Sequence, residues 1–201
     1  MESRPDVTFA VVGAGVAGAA TCVALARLGH IPSWIAPARR ETDIVGESLA
    51  ASALSSLRQL GLEALFHAPH HRPANVIFSA WGSDALVERN HGFDLGGSGR
   101  VIDRPRFEAD LREAAGRAGV RPVDGSVTGL AKSDAGWRLD LEDGRRLAAR
   151  FVFDCTGRGA VLGRRLATYR RADRLVSTHA FLDQVDPGVE PTAATLVEAA
   201  P

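Results

Sequence analysis

An α/β fold built on a parallel sheet is predicted by three observations. The chain opens with an apolar strand, Val7-Thr8-Phe9-Ala10-Val11-Val12, that runs into Gly13-Ala14-Gly15-Val16-Ala17-Gly18 and then a helix from Ala19 to Leu28, closed by Gly29. A second short strand, Ser33 to Ala36, follows and ends at Pro37, which completes a βαβ unit and makes the two strands parallel neighbours. A third run, Phe151-Val152-Phe153, is short and continuously apolar, as suits the interior of a parallel sheet.

The glycine spacing carries a specific expectation. Gly13 allows the tight turn, Gly15 lets the backbone approach a pyrophosphate, and Gly18 lets helix and strand pack closely, while the helix N-terminus faces the phosphate charge. A bare GxGxxG is weak evidence, but here it follows an apolar strand and opens a helix, the context the motif requires. The competing reading is a tight turn with no ligand.

The remaining elements follow in order. Ser48 to Leu60 reads as a helix, with Leu49, Ala53, Leu57 and Leu60 on one face and Gly61 as its stop. Val76–Trp81 and Ala85–Arg89 read as strands joined through Gly82-Ser83-Asp84. A helix from about Arg104 to Ala118 turns Phe107, Leu111, Ala114 and Ala115 inward, with Pro105 near its start. Asp134-Ala135-Gly136 and Glu142-Asp143-Gly144 supply the turns of a three-stranded meander that includes Trp137–Leu141 and Arg146–Ala148. The Phe151 strand then delivers Asp154-Cys155-Thr156-Gly157-Arg158 to a strand end, where open α/β sheets bind ligands. Beyond Leu166 the pattern changes, and Thr178–Leu182 is expected to begin a strand of a second sheet.

Composition narrows the function classes. In 201 residues, 45% are apolar and 24% charged, ordinary for a globular protein that forms one domain or one domain plus the start of another. Basic and acidic residues balance at 24 each, so no electrostatic footprint points to nucleic acid or an anionic membrane. The N-terminus lacks a charged-then-apolar leader and the long apolar stretches are broken by glycine and charge, so the expectation is a cytoplasmic protein. Cys22 and Cys155 form neither a disulfide framework nor a metal set. Lys132, the sole lysine, lies in a polar Lys-Ser-Asp segment read as a turn.

Four motifs recur in one order: the N-terminal GxGxxG, Gly46-Glu47-Ser48-Leu49, Asp103-Arg104-Pro105-Arg106-Phe107, and Asp154-Cys155-Thr156-Gly157-Arg158. On these motifs the chain resembles the FAD-binding part of flavoprotein monooxygenases of the p-hydroxybenzoate-hydroxylase superfamily. Gly-Glu-Ser-Leu and Ser79-Ala80-Trp81-Gly82-Ser83 narrow the resemblance to flavin-dependent halogenases and LodB- and QhpG-like peptide-modifying flavoproteins. The resemblance implies a Rossmann-like FAD-binding domain with a parallel sheet and β-meander over residues 1–166. Residues from about 70 to 100 would add strands to a substrate-side layer, and residues 167–201 would begin a substrate-domain sheet. It further implies FAD as cofactor, NAD(P)H as a possible electron donor, and a small aromatic or peptide substrate.

Cofactor contacts are implied at Gly13, Gly15, Ala17, Gly18, Gly46, Glu47, Ser48, Arg104, Asp154, Thr156 and Gly157; the sequence identifies no catalytic acid or base and no metal ligand set. Each has a plainer reading beside it. Ser48 caps a helix equally well. Arg104 is an odd cation for the positive end of a helix, which a bound pyrophosphate would favour, but a solvated arginine is the alternative. Cys155 replaces the usual alanine and reads as a packed small residue. Trp81 is read as core or as a wall of the substrate side. His67, His70 and His71 read as a loop at a helix end sooner than as a metal site.

Two departures matter. About 20 residues past the glycine motif the fold ordinarily supplies an acidic residue for the ribose hydroxyls, whereas this chain has Ala36-Pro37, leaving Arg39, Arg40 or Glu41 as candidates to compensate. That gap argues against NAD as main ligand. The halogenase catalytic lysine and Trp-x-Trp-x-x-Ile-Pro motif have no match in the sequence, so oxygenation is expected rather than halogenation. Complete members of the resembled family continue through a second flavin-contacting Gly-Asp motif. The expectation is therefore a truncated product, or a subunit whose partner supplies the C-terminal half; the rival class is a non-catalytic nucleotide-binding remnant.

Overall fold

The computed structural model describes residues 5–37, 47–80, 85–91, 97–134, 136–170, 172, 188 and 194–198. Contacts divide the chain into two compact units, residues 1–43 with 108–174 and residues 44–107 with 175–201.

The first unit is built on β1 (Val7–Val12), α1 (Val16–Arg27), β2 (Ser33–Ile35), β8 (Pro122–Val123), β9 (Val127–Ser133), β10 (Gly136–Leu141) and β11 (Arg146–Asp154). Its six strands are ordered β8-β2-β1-β11-β10-β9. The predicted βαβ unit is present, with β1 parallel to β2 from Ala10 opposite Ser33 to Val12 opposite Ile35. β9, β10 and β11 form the antiparallel meander. Ala10, Val12, Ile35, Val127, Leu139, Leu141, Ala149 and Leu162 close into one buried cluster, each large side chain contributing about 1.5–3 kcal/mol on burial.

Two expectations in this unit change. The third meander strand and the Phe151 strand are one nine-residue strand, β11, which serves β10 through Trp137 opposite Ala149 and β1 through Val7 opposite Ala149 to Val12 opposite Asp154. Its centre is interior to the sheet, but not covered on both faces: Phe151 and Phe153 stay 49% and 37% exposed, Phe151 stacked on Phe9 at 5.6 Å. Side chains alternate along a strand, so only one set of an apolar run reaches the core. Lys132 lies within β9, opposite Trp137, because the turn begins only after Ser133.

The second unit holds two three-stranded sheets. In one, β3 (Glu47–Leu49) and β4 (Arg72–Ala74) flank β7 (Gly99–Ile102), both antiparallel to it. In the other, β5 (Val76–Ala80) lies between β6 (Val87–Asn90), antiparallel, and β12 (Ala194–Glu198), parallel. The predicted helix over 48–60 is corrected: Ser48 and Leu49 are strand, and α2 runs only from Ala53 to Gln59, followed by α3 (Glu63–Phe66). Pairing of Ser48 with Val101 and Leu49 with Arg100 overrides the local helical spacing. α4 (Arg104–Arg117) matches the predicted helix, with Phe107, Leu111, Ala114 and Ala115 buried; the boundary between units falls within it. The expected strand over 178–182 lies outside the described residues.

Candidate functional site

The loop after β1 is shaped by backbone contacts that only glycine permits. Gly13 has φ 132° and donates its amide to the Ile35 carbonyl at 2.9 Å. A Cβ on Gly13 would overlap the Cys155 carbonyl, and one on Gly18 would overlap the Gly13 carbonyl; these are backbone atoms that no rotamer change can move. Gly15 is different. Its φ of −85° suits any residue, yet a Cβ there would meet nothing within 4 Å. Gly15 is the N-cap of α1, no side chain caps the helix, and its first turn holds no acidic residue. The uncapped amides and the positive end of the dipole are thus left for an anion.

A cavity of about 270 Å³ within the first unit is lined by Val12, Gly13, Ala14, Pro37, Ser126 and Thr156, among others. They come from the C-terminal ends of β1, β2 and β11 and the loop before β9, the edge at which open α/β sheets take ligands. Of the predicted contacts in this unit, Gly13 and Thr156 line the cavity, Gly15, Ala17 and Gly18 form the adjacent loop and helix start, and Gly157, at φ 62°, opens a 3-10 turn.

Asp154 works inward. One carboxylate oxygen accepts the Thr156 hydroxyl at 2.6 Å and the Thr156 amide at 3.1 Å; the other accepts the amides of Leu162 at 3.1 Å and Gly163 at 2.8 Å. Partial burial pushes the carboxyl up, but the Thr156 hydroxyl and the three amides outweigh it and hold Asp154 below its ordinary value. The Thr156 hydroxyl in turn accepts the Val161 amide at 2.8 Å. Asp154 therefore fixes the turn that presents Thr156 and Gly157. Cys155 sits behind the loop, its amide bonded to the Val12 carbonyl at 2.8 Å and its sulfur 3.6 Å from the Thr21 hydroxyl. Burial, with a smaller contribution from Cys155, pushes the neighbouring Cys22 thiol up to about 12, so Cys22 is a packed, inert group.

Two residues escaped the sequence reading. Trp34, fully buried, donates its indole N–H to the Gly13 carbonyl at 2.8 Å. Arg112 of α4 donates to the Ala14 carbonyl at 3.0 Å and lays its guanidinium 5.4 Å from the Trp34 ring centre. Together they lock the glycine loop. No local pattern marks them, because their partners lie 21 and 98 residues away.

The other predicted contacts belong to the second unit. Gly46 lies outside the described residues, as does the Glu47 side chain, while Ser48 stands in β3 and lines a cavity of about 490 Å³. Ser48 caps no helix. Arg104 is the first residue of α4, and Asp103 before it caps the helix, accepting the Arg106 amide at 3.1 Å. That carboxylate already complements the positive helix end, so Arg104 needs no phosphate to sit there. The Asp103 amide donates to Nδ1 of buried His71 at 3.2 Å, and His67 Nδ1 meets Arg100 at 3.2 Å. At the end of β2, Ala36 is buried with its amide on the Val123 carbonyl. Arg39, Arg40, Glu41 and Trp81 lie outside the described residues. No helix among the described residues is long and apolar enough to cross a membrane.

Comparison with known proteins agrees with this architecture. The family profile for tryptophan halogenase matches residues 98–200, just over half of the 201 residues. The FAD-dependent monooxygenase pytG of Aspergillus terreus is 32% identical over 174 residues, covering 81% of this chain and 51% of that protein. Squalene epoxidase 3 of Arabidopsis thaliana is 30% identical over 165 residues, covering 73% of this chain and 29% of that protein. Among solved structures, the peptidyl tryptophan dihydroxylase QhpG, essential for tryptophylquinone cofactor biogenesis, is 30% identical with a TM-score of 0.59, covering 86% of this chain and 35% of its own. PqsL of P. aeruginosa, at 22% identity and a TM-score of 0.70 over 85% of this chain and 48% of its own, shares the fold. The chain spans about half the length of one curated relative and under a third of the other. It belongs to the tryptophan halogenase family, within the superfamily of FAD-dependent monooxygenases and halogenases.

Proposed function

We propose that the first unit binds FAD and that the chain serves a flavin-dependent monooxygenase hydroxylating an aromatic substrate or a peptide side chain. The observation that carries this reading is the uncapped start of α1 behind Gly13, Gly15 and Gly18, beside a cavity also lined by Thr156. The residues fit the cofactor: open space at Gly15 and free helix amides suit a pyrophosphate, and Asp154 holds the Thr156-Gly157 turn in place from behind. Bound flavin supplies the oxygen chemistry, while the protein positions and shields it. Gly46, Glu47, Ser48 and Arg104 are assigned to the cofactor by family resemblance alone. NAD(P)H is the proposed reductant and the cytoplasm the proposed site of action, with no nucleic acid or membrane as partner; a partner chain that completes the substrate side belongs to the same reading.

The test is to load the chain with FAD, supply NADH or NADPH with isotopically heavy oxygen and a panel of aromatic compounds, and weigh the products. A product heavier by one labelled oxygen atom is expected. Reducing equivalents recovered wholly as peroxide would sink the monooxygenase reading and leave a flavin-dependent NAD(P)H oxidase, whereas no consumption of NADH or NADPH would leave a nucleotide-binding module.

A further inference from the structure

We propose that Arg112 and Trp34 are positioning residues for phosphate recognition: each holds one carbonyl of the glycine loop and so turns the amide that follows it toward the anion. Trp34 donates its indole N–H to the Gly13 carbonyl at 2.8 Å, and Arg112 donates to the Ala14 carbonyl at 3.0 Å. A trans peptide is planar, with its C=O and N–H on opposite sides, and the described residues hold no cis peptide. The Ala14 amide therefore points away from Trp34, and the Gly15 amide away from Arg112. Neither amide has a hydrogen-bond partner among the described residues, whereas the Gly13 amide before them is tied to the Ile35 carbonyl at 2.9 Å. The two open donors lead directly into the uncapped first turn of α1.

The two side chains also strengthen what they orient. A guanidinium on the Ala14 carbonyl polarises that peptide and makes the Gly15 N–H a better donor, and the indole does the same for the Ala14 N–H. Arg112 is half-buried and has no carboxylate partner among the described residues; the Ala14 carbonyl and the Trp34 ring, 5.4 Å from its guanidinium, compensate its charge. Packed against each other they act as one brace, so loss of either releases a carbonyl and lets its peptide rotate. A phosphate feels that rotation and an uncharged nucleoside does not, because the amides form charge-assisted bonds only with the anion. The role presupposes the phosphate placed at the glycine loop under the proposed function, but not the flavin.

The experiment measures the affinities of the full chain for ADP and for adenosine by saturation-transfer NMR, in the parent, Arg112→Met and Trp34→Phe, with FAD uptake read separately from visible absorbance. The parent is expected to bind ADP at least about tenfold more tightly than adenosine, the worth of one charge-assisted contact. Each variant should bring that ratio down toward unity while adenosine affinity holds. A lower folded fraction weakens both ligands alike and leaves the ratio unmoved, so the ratio reports orientation and not stability. Arg112→Met keeps an apolar stem on the indole, and Trp34→Phe removes a donor without removing charge. A ratio preserved in either variant overturns the brace; preserved in Trp34→Phe alone, it would reduce Arg112 to a distant charge. Equal parental affinities, or no binding of either nucleotide, would overturn it as well. FAD bound at about one per chain beside a preserved ratio would leave the flavin reading standing, whereas a ratio lost in both variants of a chain that takes up no FAD would uphold the brace and overturn the flavin reading alone.

Discussion

Gly15 and Gly18 belong to one motif, yet the structure gives them opposite roles, and alanine at each separates folding from binding. A methyl on Gly18 would overlap the Gly13 carbonyl, so α1 must shift off β1, and the Trp34 bond of 2.8 Å to that same carbonyl must lengthen. Overpacking costs about 1–3 kcal/mol and an abandoned buried acceptor about 1–3 kcal/mol more, so Gly18→Ala should destabilise the chain by about 2–6 kcal/mol. A methyl on Gly15 meets nothing within 4 Å, and φ of −85° is comfortable for alanine. Only the weaker N-cap preference of alanine remains, about 1 kcal/mol or less. The same methyl occupies the open space assigned to the pyrophosphate, so FAD affinity should fall at least about tenfold, roughly 1.4 kcal/mol. Denaturant unfolding followed by circular dichroism, with FAD titration of the folded proteins, measures both quantities. Unchanged FAD affinity in Gly15→Ala would refute the placement of the phosphate, and parental stability in Gly18→Ala would refute the close approach of helix and loop.

Other consequences follow from the same contacts. Trp34→Phe removes the donor to the Gly13 carbonyl and should lower unfolding free energy by about 1–3 kcal/mol in denaturant melts while weakening FAD binding. Asp154 has a folded pKa below its unfolded value; its contribution is therefore fully present above about pH 4 and fades as pH falls through the depressed folded value. Asp154→Asn should flatten the acid limb of a stability-against-pH profile. Cys22 should resist maleimide labelling at pH 8 until the chain is unfolded, which mass spectrometry of the labelled peptide would show.

Local chemistry made the first unit readable. β1, α1 and β2 follow from an apolar strand, glycine spacing and a proline stop, and α4 from helical periodicity with Pro105 near its start. β3 was hidden because Leu49, Ala53, Leu57 and Leu60 recur at helical spacing, whereas its partner strand lies fifty residues on. Gly99 makes that pairing possible, since a Cβ there would press on the Leu49 carbonyl. β12 was hidden for the same reason, being parallel to β5 across more than a hundred residues. At the candidate site the glycines were legible because turns and close approaches demand them. The bracing by Trp34 and Arg112, and the inward work of Asp154, depend on contacts that no short window of sequence contains.

The central claim is that the glycine loop of the first unit holds FAD. The most direct measurement is the visible absorption of the purified chain after equilibration with FAD and removal of the unbound cofactor. The expected result is a flavin band at about one per chain that Gly15→Ala weakens. A folded protein that stays colourless at saturating FAD would contradict the claim.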